Sequence, residues 1–396
     1  MIKKYSFLCF SILLLLACSD TRPFIRDEMQ GDPSERPHGS QIITFYALGD
    51  WGTGDEQQMA VAEALRKNVA EIPEGREIAP FVLGLGDNIY NKGLPDGWNN
   101  PVAYELLEET FGRIYHEVEY EGKELVYYMI PGNHDHAGKA GGKNGWGDVI
   151  HQETTAEKLY EPYWQYYPID PDKNADTNDS TDYNNLKMEN IFSLTLPEKI
   201  NASNSKTIAF TAVDSQVLLE LYQRKDFEML QKHWDRLESL LADSVDWKVI
   251  LGHHPIRSHG QHGGFRSWYW WLPPVFLYTV IDKWIYKRLQ DLDHPANVRF
   301  QKDLLAIMKK LNVHIYLSGH EHNIQFLKID KKNFQIISGS AAKLSPVTHK
   351  DDTLFSHASP GFARFDVSSQ EMWVEFFQVD VESSTYKSSA LFKITK

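Results

Sequence analysis

The 396-residue chain has only two cysteines, Cys9 and Cys18, and both fall within its first 18 residues. The rest of the chain offers no thiolate for a soft metal or an iron–sulfur cluster, and no internal disulfide. A basic surplus is missing too. Lys and Arg number 41 against 54 Asp and Glu, a formal charge of −13, which argues against a groove for duplex nucleic acid. A phosphate-bearing ligand in this field needs local cations, and bound metal ions are the obvious source. The apolar run from Phe7 to Leu16 is too short to span a bilayer as a helix.

That run follows Lys3 and Lys4 and ends at Ala17-Cys18, the layout of an export signal. Leu15-Leu16-Ala17-Cys18 resembles the lipobox of bacterial lipoproteins, which implies that Cys18 is acylated; the alternative is an ordinary cleaved signal with an incidental Cys. Several acyl chains on one residue anchor a protein stably where one is marginal. The expected organisation is a lipoprotein signal peptide over 1–17, a flexible tether over 18–40 containing Pro23, Pro33 and Pro37, and one catalytic domain over 41–396. The expected location is the bacterial cell envelope, with the protein lipid-anchored to a membrane.

Five short polar blocks each follow an apolar run. Residues 42–48, 81–85, 125–130, 247–251 and 313–317 are rich in β-branched and aromatic side chains and bounded by Gly or Pro, so they predict buried strands. After them come Gly49-Asp50-Trp51-Gly52, Gly86-Asp87-Asn88-Ile89-Tyr90, Gly132-Asn133-His134-Asp135, Gly252-His253-His254-Pro255 and Gly319-His320-Glu321-His322. Polar residues at strand ends are where sites form in open α/β sheets, and a neighbouring Gly lets the backbone approach an ion. Helical spacing over 55–70, 227–241 and 300–311 predicts outer helices, the first capped by Thr53 or Asp55. From 324 onward consecutive strands predict an antiparallel β tail.

Two stretches read as insertions, at about 170–185 and 265–299. The first is polar and acidic but lacks the Gly and Glu of an EF-hand, so a solvated loop is the better reading. The second contains the Trp-rich run 265–286, readable as a helical lid or as a surface dipping into the membrane interface.

Carboxylate, imidazole, amide oxygen and phenolate are the donors that hard or borderline divalent and trivalent ions prefer. Asp87 can bridge two ions through its two oxygens, about 3.5–4 Å apart, a spacing suited to phosphoryl displacement. His134, next to Asn133, can protonate a leaving alkoxide or orient the phosphate.

The order of the blocks resembles the calcineurin-like metallophosphoesterases, and Tyr90 makes the chain similar to the purple acid phosphatases, nearest to the small tartrate-resistant type. The resemblance runs from about 42 to 395 and implies a four-layer α/β/β/α sandwich with two mixed β-sheets. It also implies that Asp50, Asp87, Tyr90 and His322 bind a ferric ion. By the same resemblance Asp87, Asn133, His253 and His320 would bind a second, divalent ion (Fe2+, Zn2+ or Mn2+). His134 is then the catalytic histidine, and His262 and Asn133 contact substrate. The expected activity is hydrolysis of phosphate monoesters by a metal-bound hydroxide. The alternatives are a phosphodiesterase acting on nucleotides or lipid head groups, and a non-catalytic envelope binding protein. Departures from the tartrate-resistant pattern are His254 in place of Tyr, the missing disulfide cysteines and the insertion at 265–299.

Overall fold

The structure, a computed structural model, describes residues 22–95, 100–139, 146–166, 193–195, 208–242, 245–265 and 288–396. The signal segment, Cys18, the acidic stretch 170–185 and all of the aromatic run except Phe265 lie outside these residues.

Two mixed sheets face each other. The seven-stranded sheet has the order Thr385–Thr395, Glu371–Asp380, Gly361–Val367, Ile43–Leu48, Phe81–Gly84, Val126–Met129, Trp164–Tyr166. The eight-stranded sheet has the order Phe24–Ile25, Thr353–His357, Ile324–Lys328, Phe334–Ser338, Ile315–Ser318, Trp247–Leu251, Ile208–Ala212, Ser193–Thr195. Side-chain alternation along each strand explains why two cores form rather than one. Ile43, Phe45 and Ala47 point between the sheets with Phe81, Phe210 and Phe365, while Tyr46 and Leu48 point outward to a helical layer. On the other sheet Val249 and Leu317 face inward, and Ile250 and Tyr316 pack beneath helices. Helices Glu56–Ala70 and Val149–Tyr160 cover one outer face; Ser215–Arg224, Phe227–Leu240 and Pro295–Leu311 cover the other. The result is the α/β/β/α sandwich.

Local chemistry fixes the helix starts. Asp55 accepts the Gln58 N–H at 3.0 Å, so it rather than Thr53 is the cap of its helix. Asp214 caps Ser215–Arg224 in the same way, at 3.1 Å from the Val217 nitrogen.

Three expectations need correction. The tether is docked from Phe24 onward: Phe24 and Ile25 pair antiparallel with Ser356 and Phe355, Gly31 packs on the Trp373 ring, and Arg36 pairs with Asp366 at 2.9 Å and Glu375 at 2.6 Å. Long-range ion pairs, invisible to local composition, hold a segment whose prolines suggest a free linker. The C-terminal tail is not wholly antiparallel, because Phe334–Ser338 pairs parallel with Ile315–Ser318. The outer helix expected over 300–311 starts earlier. The helix begins at Pro295, with Phe300 and Leu304 fully buried under the sheet. Proline at the first turn is favourable there, since its missing N–H has no intrahelical partner to lose.

Candidate metal centre

Strands Ile43–Leu48, Phe81–Gly84 and Val126–Met129 are mutually parallel, as are Trp247–Leu251 and Ile315–Ser318. Each parallel set therefore sends its carboxyl ends to one edge, and there the five blocks meet. Two of their glycines are sterically required. A Cβ on Gly86, whose φ is 90°, would lie 2.6 Å from His253 Nδ1, and one on Gly132 would collide with the Asp87 carboxylate. Asp50, Asp87 and His320 themselves adopt the left-handed region, with φ of 59°, 56° and 68°. Such conformations cost energy and persist where surrounding structure over-determines them.

The seven predicted donors converge in two groups that share Asp87. On one side the Tyr90 hydroxyl donates to Asp87 Oδ2 at 2.9 Å or Asp50 Oδ1 at 3.1 Å, and lies 3.5 Å from His322 Nε2. On the other, Asn133 Oδ1 is 3.0 Å from both His253 Nε2 and His320 Nδ1. Those two nitrogens are 3.2 Å apart, and His253 Nε2 is 3.4 Å from Asp87 Oδ1. His320 and His322, two residues apart, thus serve different groups.

The protonation pattern suits cations. His253 Nδ1 donates to the Leu85 carbonyl at 2.8 Å, which leaves the Nε2 lone pair aimed at the Asn133 and Asp87 oxygens. Lone pairs from three residues then face one another with no proton to join them. In the absence of an ion a proton takes the place: burial pushes His253 down, but Asp87 outweighs it and raises the imidazole to about 9. Burial and the neighbouring Asp87 charge likewise push Asp50 up, while His253 and His134 hold Asp87 well below the usual carboxylate range against its burial. Burial, with Asp50 and Asp87 next, raises the Tyr90 phenol. Burial lowers His322 to about 3 and keeps His320 neutral. One ligand atom each from Asp50, Asp87 and His253 falls within 4.8 Å of the others.

His134 lies at the rim, its side chain 31% exposed, with Nδ1 2.7 Å from the Asn91 carbonyl and Nε2 4.0 Å from Asp87 Oδ2. The His262 ring lies 4.2 Å from that of His320, tilted by 34°, and is held by Asp291 at 3.0 Å. His254 is buried behind the centre, bonded to Ser215 Oγ at 2.8 Å.

Three supporting residues carry no role in the sequence reading. Asp135 accepts from the backbone N–H groups of Gly132, Asn88 and Ile89 and from the side chain of Gln152, tying two ligand loops together. Glu321 Oε1 accepts from Ser258 Oγ and from the His262 and Gly263 N–H groups, fixing the loop that carries His262. Lys343 rests over the Tyr90 ring. Asp135 and Glu321 sit inside quoted blocks, so their position was the available signal; Lys343 has none.

A two-sheet α/β sandwich with buried carboxylates, imidazoles, an amide and a phenol gathered at the strand ends defines a metal-dependent phosphoric ester hydrolase. Residues 43–323 match the calcineurin-like phosphoesterase family model, and the chain belongs to that family. It is 22% identical over 365 residues to human tartrate-resistant acid phosphatase type 5, covering 89% of this chain and 92% of that protein. With purple acid phosphatase 17 of Arabidopsis thaliana it shares 24% identity, covering 83% and 80%. Among solved structures, GAP50, the anchor in the inner membrane complex of Plasmodium, shares the fold with a TM-score of 0.55 at 17% identity, covering 90% of each chain.

Proposed function

We propose that the protein is a binuclear acid phosphatase that hydrolyses phosphate monoesters. The observation that carries this reading is the division of the Asp87 carboxylate, with Oδ2 toward Tyr90 and Oδ1 toward His253. Tyr90, Asp50 and His322 suit a ferric ion; Asn133, His253 and His320 suit Fe2+, Zn2+ or Mn2+. Such a pair supplies a hydroxide near neutral pH and charge to balance the phosphate oxygens.

The chain's own residues do the rest. Hydrogen-bonded through Nδ1 to Asn91, His134 is oriented to deliver a proton from Nε2 to the leaving alkoxide. Asp291 orients His262 through Nδ1 at 3.0 Å, and in its doubly protonated form the ring can donate to phosphate through Nε2. Asn133 borders the same space and can donate through its amide nitrogen while its oxygen faces the imidazoles. No covalent nucleophile is required, so no phosphoenzyme forms.

A diesterase reading has one observation in its favour. Both flanks of the aromatic run border His262: the Leu292 N–H donates to the His262 carbonyl at 3.0 Å, and the Phe265 N–H to that of Gly260 at 3.0 Å. Metal analysis with comparison of p-nitrophenyl phosphate and its bis ester tests the proposal. Two metal equivalents and faster monoester turnover are expected, with His134→Ala lowering kcat roughly 10²–10⁴-fold at unchanged metal content. A strong preference for the diester would move the assignment to the phosphodiesterase. Metal-loaded protein inert to both esters over a broad pH range would favour the non-catalytic envelope binder. Anchoring through lipid on Cys18 belongs to the same proposal.

A further inference from the structure

The loop after Phe334–Ser338 is pinned to two of the residues that flank Tyr90. The Ala342 N–H donates to the Asp50 carbonyl at 3.2 Å, and the Ser345 N–H donates to the His322 carbonyl at 2.7 Å. Lys343 lies between these anchors. Its Nζ is 3.3 Å from the centroid of the Tyr90 ring, well inside the ~6 Å at which cation–π attraction operates. Its acidic neighbours Asp87, Asp50 and Asp55 act at longer range, and no ion pair to Lys343 occurs among the described residues. The half-buried ammonium is thus committed to the ring face.

We propose that Lys343 is a tuning residue for the ion held by Tyr90, acting through the ring of that ligand; this rests on the ferric assignment made above. Bound to a ferric ion, Tyr90 is a phenolate whose ring electrons are the donors of a visible charge-transfer band. An ammonium against that ring lowers the energy of those electrons. The transition then needs more energy, and the phenolate stabilises the ferric state less. Lys343 sets the balance between the two oxidation states without touching the ion or the substrate.

The experiment uses full-length iron-loaded protein, with iron content measured in every sample. Lys343→Met keeps the length of the stem and removes the charge, and Lys343→Gln is a second neutral variant. Both are expected to move the visible band to longer wavelength. At a fixed excess of reductant they should raise the ferric-to-ferrous ratio roughly tenfold, as expected for a partly desolvated cation–π contact. Lys343→Arg should retain the parental band. A band unmoved in the neutral variants at equal iron content overturns the proposal. Iron-loaded parental protein with no visible band would instead overturn the Tyr90–ferric assignment, so the two failures are distinguishable.

Discussion

The Tyr90 hydroxyl and Asp87 Oδ2 lie 2.9 Å apart, the two residues standing three positions apart in the loop after Phe81–Gly84. That contact turns one oxygen of Asp87 to the phenol side and leaves the other for His253 and for the His134 N–H, which it accepts at 2.8 Å. Asp87→Asn keeps the shape but removes the shared charge and sets an NH2 group against one donor set. Both metals are expected to be lost, whereas Asp50→Asn should chiefly affect the one on the Tyr90 side. Metal-to-protein ratios after gel filtration check this, and an Asp87→Asn protein that keeps two equivalents would contradict the shared carboxylate.

Asp135 has no hydrogen bond to the predicted donors among the described residues, yet its bonds to Gly132 at 2.7 Å, Asn88 at 3.0 Å and Ile89 at 3.1 Å hold two of their loops in register. An amide in its place confronts this ring of N–H donors with donors of its own. Asp135→Asn is expected to lower metal affinity roughly 10–100-fold, the usual cost of removing an outer partner of a metal ligand. Competition with a graded series of chelators measures it; unchanged retention would mean that the loops stand without Asp135.

Much of the centre was legible because each block of donors opens on a Gly at the end of an apolar run or one residue beyond it. The Trp247–Leu251 strand lies over the residues expected, and the others shift by no more than two residues at either end. What was not legible depends on partners distant in sequence. Phe24–Ile25 is a strand only because Thr353–His357 offers an edge, and Arg36 is fixed only because Asp366 and Glu375 face it. Ile208–Ala212 is a short apolar segment with no ligand block after it, so nothing in its own sequence marked it. Lys343 depends on the Ala342 and Ser345 backbone bonds that fold its loop onto Tyr90.

His233 lies buried in helix Phe227–Leu240, and neither ring nitrogen has a hydrogen-bond partner among the described residues. Burial lowers it from its ordinary 6.5 to about 4, opposed only in part by Asp214. The folded value is below the unfolded one, so the unfolded chain takes up the proton first. Stability from this group is complete above about pH 6.5 and is lost as pH falls toward 4, a loss of roughly 3 kcal/mol. His233→Leu should therefore flatten the fall in Tm between pH 7 and pH 5. His314, also lowered to about 4 by burial, leaves a residual slope. Parallel parental and variant curves would show that His233 protonates without cost in the folded state.

Cys18 stands six positions before Phe24, the first residue docked on the sheet edge. Six residues reach roughly 20 Å at full extension, so acylation at Cys18 would hold the folded body close to the membrane rather than on a long leash. Phe24 pairs with Ser356 and stacks on His349 at 3.9 Å, while His357 at the end of the same strand pairs with Ile324, two residues after His322. A lipid on Cys18 would therefore join the body at the end of the sandwich that carries the metal centre. Cys18→Ser is expected to move the enzyme from the membrane fraction to the soluble envelope fraction with metal content and monoester turnover unchanged. Fractionation with an activity assay on each fraction measures this. Membrane retention of the Cys18→Ser protein would mean that another surface holds it there.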